Sequence, residues 1–135
     1  MLQLIERART FPERMAFAGP EGSCTYRKLL ARSQAIAAGL LGGRPDLEEA
    51  RIAFAAPGGA DYAVIQWGIW LAGGIAVPLN IKASQAEMRH CTDTAGVEKL
   101  VATDAVAEVL AGLCEHAGIP RVSLGQFDLQ ASAEL

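Results

Sequence analysis

Three stretches carry residue types that could do chemistry. The first is "PGGADY", residues 57–62, a proline and two glycines set between an apolar run and a helical pattern. A glycine-rich turn opening a helix can bind phosphate, because backbone N–H groups and the helix dipole converge there. Neither GxGxxG nor GxxxxGK[ST] is present, however. Asp61 at the helix start would also repel a phosphate while itself satisfying the dipole. A plain turn accounts for this stretch. The second is "RHC", residues 89–91. A Cys/His couple could supply nucleophile and base, but no spacing marks His90 and Cys91 as such a pair. An exposed helical histidine is the simpler reading. The third is "NIKAS", residues 80–84. Lys82 lies just past the carboxyl end of an apolar strand, where ligands of open α/β sheets gather. A lysine meets phosphate as a point charge, without the fork of an arginine. The plain alternative is a solvated loop lysine.

The remaining candidates resolve to structure. There is no GxSxG. Cys24, Cys91 and Cys114 are far apart and odd in number, and form no metal spacing with His90 and His116. They read as reduced thiols. His116 falls in a helix's last turn, where a cationic imidazole suits the dipole. Trp67 and Trp70 share a helical face and read as core. Glu48 and Glu49 lie in a solvated loop. Residue chemistry alone therefore leads to no catalytic residue and no metal ligand.

The elements that position these residues follow from pattern. Residues 2–9 read as a short helix. "MAFAG" and "SCTY" flank "PEG", a turn signal, and give a hairpin. Thr25 suits an N-cap, and apolar residues at helical spacing run over 26–41 to Gly42 and Gly43. "RIAFAA", 51–56, is a continuous apolar run that suits a parallel strand covered on both faces. A helix over 61–72 is apolar nearly all round, so it should be buried on more than one side. Gly73 and Gly74 close it, and "IAVPL", 75–79, is the next strand. Pro78 cannot donate to a ladder, so that strand should end there or lie at an edge. Ser84 with Glu87 forms a capping box before a helix over 85–95, stopped at Gly96. A strand over 99–103, a helix from Asp104 to about Ala117 and a short strand "RVSL" follow. The tail from 125 has little pattern. The expected fold is α/β: an N-terminal hairpin, then strand–helix repeats forming a mainly parallel sheet flanked by helices, with residues 1–135 as one domain.

Composition bounds the rest. The chain has 135 residues, 51% apolar and 20% charged, with net charge −3. Mean hydropathy is +0.22 and pI about 5.3, which is greasy for an isolated small domain. Part of its surface is expected to lie against something else, including a second copy through an exposed apolar face. No basic stripe is present, so no nucleic-acid partner is expected. No apolar run reaches the roughly 18 residues of a membrane span. "MLQLIERART" lacks the apolar core of a signal peptide, and a cytoplasmic location is expected.

Five motifs in order go further. Pro12 to Ala16 fits "P-x-x-x-A". Thr25-Tyr26-Arg27-Lys28-Leu29 fits "(T/S)-Y-x-x-L" opening a helix. Arg51–Gly59 is a strand ending in a short turn. Ala72-Gly73-Gly74-Ile75-Ala76-Val77-Pro78-Leu79-Asn80 fits "A/K-x-G-(A/G)-x-x-x-P-(L/V)-N". Asp93-Thr94-Ala95-Gly96 fits "D-(S/T)-(G/A)". Over residues 11–103 the chain resembles the N-terminal region of the AMP-forming acyl-CoA synthetases, within the adenylate-forming superfamily. The resemblance implies a parent that joins ATP and a carboxylic acid into acyl-AMP, then transfers the acyl group to a thiol, usually that of CoA. It implies ATP, Mg²⁺ and CoA for the parent and none of them for this stretch alone. The phosphate loop, hinge and C-terminal domain would lie in the remainder of the parent synthetase, the implied partner. It also places Lys82 where the family often has the arginine of "N-P-R", a residue that reaches a CoA phosphate in some CoA ligases. Here Ile81 replaces the proline. "LLGGRPDLEEARIAF" likewise stands where the family has "G-(V/L)-x-x-G-D-x-V", so the Gly-Asp turn is missing. A free-standing nucleotide-binding or protein-interaction module is the alternative.

Overall fold

The structure is a computed structural model that describes residues 3–19, 22–104, 106 and 110–127. Helix α1 (Gln3–Thr10) buries Ile5 and Ala8. Strands β1 (Met15–Gly19) and β2 (Gly22–Thr25) pair antiparallel, as the hairpin reading expects. The tip of their turn, residues 20 and 21, lies outside the described residues. Helix α2 (Tyr26–Leu41) starts at Thr25, whose hydroxyl accepts the Lys28 N–H at 3.3 Å. It stops at Gly42, whose φ of 54° makes the left-handed cap.

Strand β3 (Arg51–Ala55), helix α3 (Ala60–Leu71), β4 (Ile75–Pro78), α4 (Gln85–Ala95), β5 (Lys99–Ala102), α5 (Ala111–Ala117) and β6 (Arg121–Ser123) follow. All four of these strands are parallel, in the order β4-β3-β5-β6. β4 ends at Pro78 and is also an edge, so both outcomes that the missing proline donor allowed are realised.

Side-chain alternation splits the sheet between two cores. Ile52, Phe54 and Val101 face a cluster built on α1, α2 and α3. Ala53, Ala55, Leu100 and Ala102 face a second cluster with Met88 of α4 and Leu113 and Cys114 of α5. The reason is topological. Crossovers between parallel strands are right-handed. The step from β3 to β4 and the step back from β4 to β5 run in opposite directions, so their helices fall on opposite faces.

The closest helix pair is α2 with α3. Gly68 of α3 abuts Ile36 and the Ser33 carbonyl of α2. Arg32 and Asp61 join the two helices by an ion pair of 2.9 Å. Trp67 is buried and stacks on Tyr26, with ring centroids 6.4 Å apart, and Phe54 meets Tyr62 edge-on at 4.8 Å. The tryptophans are core, as the helical spacing suggested.

The loop from α2 to β3 is bolted to the end of α3. Leu47 N–H donates to Ala72 O and Glu49 N–H to Gly73 O, both at 2.9 Å. The Asp46 carboxylate sits so close to Gly73 that a Cβ there would clash, and Gly73 has φ +84°. Glu48 and Glu49 themselves hold φ values of 53° and 64°.

The carboxyl-terminal third departs from the sequence reading. Leu110, not Asp104, is the N-cap of α5, which covers only Ala111–Ala117. Residues 104 and 106 are helical, while 105 and 107–109 lie outside the described residues. Residues 124–127 form a helical turn, although the sequence from 125 shows little pattern. That turn buries Leu124 and Phe127 in the first core. A single buried aromatic in a short turn leaves no periodicity to detect.

Candidate functional site

The carboxyl ends of the four parallel strands converge on one edge of the sheet. β3 leads into the Pro57-Gly58-Gly59 turn, β4 into Asn80-Ile81-Lys82, β5 into Thr103-Asp104 and β6 into Leu124-Gly125. Chain direction reverses between β3 and β5: one connects outward to β4, the other outward to β6. Ligands of open α/β sheets bind at such a switch point.

Lys82 stands at this edge, exposed, as expected from its position after β4. Its loop is fixed by Asn80. The Asn80 Oδ1 accepts the Lys82 N–H at 3.0 Å, and the Asn80 carbonyl accepts Ala83 N–H at 3.0 Å. Among the described residues no carboxylate pairs with the Lys82 ammonium. The chemistry fits a phosphate oxygen, met as a point charge.

The PGG turn offers α3 no side-chain cap, and Gly59 has φ 126°, which only glycine adopts readily. Asp61 is spoken for by Arg32, so the turn carries a neutralised carboxylate rather than a bare positive end.

Two features of the edge were not read from sequence. Thr103 Oγ1 is buried without a hydrogen-bond partner among the described residues, in a residue only 9% exposed. Its N–H continues the ladder to Ala55 O at 3.3 Å, directly across the switch point. A buried hydroxyl with no partner carries a desolvation cost of about 1–3 kcal/mol, so it calls for a water or ligand. Asp104 turns to the neighbouring loop, where its Oδ1 accepts the Gly125 N–H at 3.3 Å. A Cβ on residue 125 would fall 2.8 Å from that carboxylate, so a larger residue there would make the Asp104 side chain shift. A lone Thr or Asp at a strand end has no sequence pattern that announces either role.

The other candidates stay apart. His90 is exposed, and the His116 side chain lies outside the described residues. All three cysteines are free, with Cys24 and Cys114 buried. Burial pushes the Cys114 thiol above its usual pKa, partly offset by the positive charge of Arg121. Among the described residues no three His, Cys, Asp or Glu side chains gather as a metal site, and no helix is long and apolar enough to cross a membrane. A pocket of about 200 Å³ lies elsewhere, lined by Gly39, Lys99, Val122, Gln126 and Phe127. It is smaller than the ~300–1,000 Å³ usual for small-molecule sites.

A parallel sheet with helices on both faces and an open carboxyl edge defines the doubly wound α/β class. Within it the chain belongs to the AMP-binding enzyme family, whose model matches residues 4–133. It is 31% identical over 128 residues to the mitochondrial malonate–CoA ligase of Xenopus laevis, covering 92% of this chain and 22% of that protein. It is 29% identical over 133 residues to a long-chain-fatty-acid–CoA ligase of Salmonella typhimurium, covering 98% of this chain and 24% of the relative. Its fold matches O-succinylbenzoate coenzyme A synthetase from Bacillus subtilis in complex with AMP, with a TM-score of 0.78 at 22% identity. That match covers 92% of this chain and 31% of the solved one. The chain thus spans about a quarter or less of the curated relatives' length. The sequence-stretch resemblance and the α/β expectation are both met.

Proposed function

We propose that this chain is the N-terminal part of an ATP-dependent carboxylic acid–CoA ligase, one that makes acyl-AMP and then acyl-CoA, and that by itself it completes neither step. The family match over residues 4–133 carries this reading. ATP, Mg²⁺ and CoA are the parent's reactants and cofactor. In this proposal the residues that hold Mg²⁺ belong to the parent's remainder. Relatives named for malonate, long-chain fatty acids and ferulate all align with this region. A region common to ligases of such different acids serves as shared scaffold rather than as the acid selector. Cytoplasmic placement belongs to the same proposal. The test is pyrophosphate release from the isolated chain with ATP, Mg²⁺ and a panel of acids. No release is expected; release would overturn the inactivity.

Within this reading Lys82 meets a phosphate of CoA. Its support is the fixed Asn80 turn and an exposed ammonium at the carboxyl edge with which no carboxylate among the described residues pairs. In the full-length parent, Lys82→Ala should raise the Michaelis constant for CoA several-fold and leave adenylate formation unchanged. Wild type and variant losing equally on dephospho-CoA would make Lys82 a plain surface residue.

The orphaned Thr103 hydroxyl favours one second reading, a nucleotide-binding module that works without the parent. ATP or AMP raising the melting temperature of the isolated chain would support it, since a ligand bound to the native state must stabilise it.

A further inference from the structure

The hollow of about 200 Å³ lined by Gly39, Lys99, Val122, Gln126 and Phe127 opens on the first-core side of the sheet. Lys99 starts β5. Alternation along that strand puts its side chain on the same face as Val101, which belongs to the first core. It is half-buried. Among the described residues the ion pairs are Arg27–Glu13 and Arg32–Asp61, so no carboxylate there pairs with Lys99. None of the lining residues is acidic. Gly39 lies in the last turn of α2, whose carbonyl end favours a cation without neutralising it.

The second polar group of the hollow is fixed in orientation. The Ser123 N–H donates to Gln126 Oε1 at 3.1 Å. A backbone N–H can only donate, so the amide must present its oxygen there, and Nε2 remains as a donor for another acceptor. Val122 and Phe127, both packed with the first core, supply an apolar wall. Gly39 has no side chain to fill the space. The hollow thus offers one ammonium, one oriented amide donor and a compact apolar surface.

We propose that this hollow binds a small monocarboxylate with a compact apolar body. The two oxygens of one carboxylate match the two donors, and the contact with the ammonium is charge-assisted. The apolar body covers the wall of Val122 and Phe127. A phosphate dianion suits the hollow less, because it asks for more donors and has no apolar part to set against that wall. The volume admits only a ligand of the size of butanoate or benzoate. The site is separate from Lys82: β6 and β4 are opposite edges of the sheet. It does not depend on the ligase reading, so the failure of one leaves the other standing.

Titration of the isotope-labelled chain with benzoate, followed by amide NMR, tests this. Saturable shifts are expected at Lys99, Val122 and the side-chain amide of Gln126, with a Kd in the low-millimolar range that so few contacts give. Benzamide has the same shape without the charge. It should bind about tenfold more weakly or not at all, and so should inorganic phosphate. Lys99→Met keeps the alkyl stem and loses the charge, and should weaken benzoate about tenfold. Gln126→Glu still accepts the Ser123 N–H but turns the donor into a negative charge, and should abolish binding. Melting curves confirm that each variant is folded; should one fail to fold, benzoate against benzamide on the wild type decides. No saturable shift with benzoate, or shifts confined to other residues, would overturn the proposal. So would benzamide or phosphate binding as tightly as benzoate, or a folded Lys99→Met or Gln126→Glu variant with unchanged affinity.

Discussion

Gly68 of α3 faces Ile36 of α2 with no room for another carbon: a Cβ on Gly68 would lie 2.6 Å from Ile36 Cγ2. Both residues are fully buried or nearly so. The glycine in "WGIW" is therefore what lets two apolar helices seat against each other. Gly68→Ala should gain helix propensity yet lose about 1–3 kcal/mol to overpacking. Chemical denaturation measures the loss. Ile36→Ala in the same chain should recover part of it, giving clear non-additivity. Purely additive effects would show that the two residues do not press on each other.

Glu49 has φ 64° in the turn before β3. Glu49→Gly should stabilise the isolated chain by up to about 1–2 kcal/mol, because glycine takes this conformation without the Cβ penalty. Its N–H bond to Gly73 O needs no side chain. A raised melting temperature is the expected result, and a lowered one would mean that the glutamate side chain stabilises the loop in the monomer.

The reverse holds one loop away. Gly73→Ala meets both a φ of +84° and the Asp46 carboxylate. It should destabilise by more than the single left-handed penalty of about 1–2 kcal/mol. Asp46→Ala should relieve part of that cost in the double variant.

Cys114 gives a pH signature. Its usual pKa is 9.0, and burial raises it in the folded chain. Above about pH 9 the unfolded chain releases this proton while the folded chain holds it. Stability should therefore fall as pH rises through that window. The same shift leaves little thiolate near neutrality, so the folded thiol should react slowly with a disulfide reagent. Cys114→Ala should flatten the alkaline slope in a pH series of denaturation curves.

Much of the fold was legible because local chemistry and tertiary structure agree. Thr25 and Ser84 cap the helices their hydroxyls announced, Ser84 Oγ accepting Glu87 N–H at 3.2 Å. The all-round apolar pattern of residues 61–72 anticipated a helix held between α2 and the sheet. What pattern misses is separation in space. Arg32 and Asp61 are 29 residues apart and share no period. Gly68 reads as a propensity defect until the distance to Ile36 is known. The strand order was hidden for the same reason, since nothing local tells β5 to pair with β3 rather than with β4. At the candidate edge, Lys82 could be placed from the end of an apolar strand. Thr103 could not, because its meaning lies in a missing partner.

The order β4-β3-β5-β6 has a consequence for how the chain is made. The first of these strands to leave the ribosome, β3, is an inner one. β4 then joins one of its free sides, β5 the other, and β6 adds to β5. Every arriving strand finds an open flank, and none must wedge between two that are already joined. The sheet can therefore grow during synthesis by addition alone, without undoing any pairing it has made.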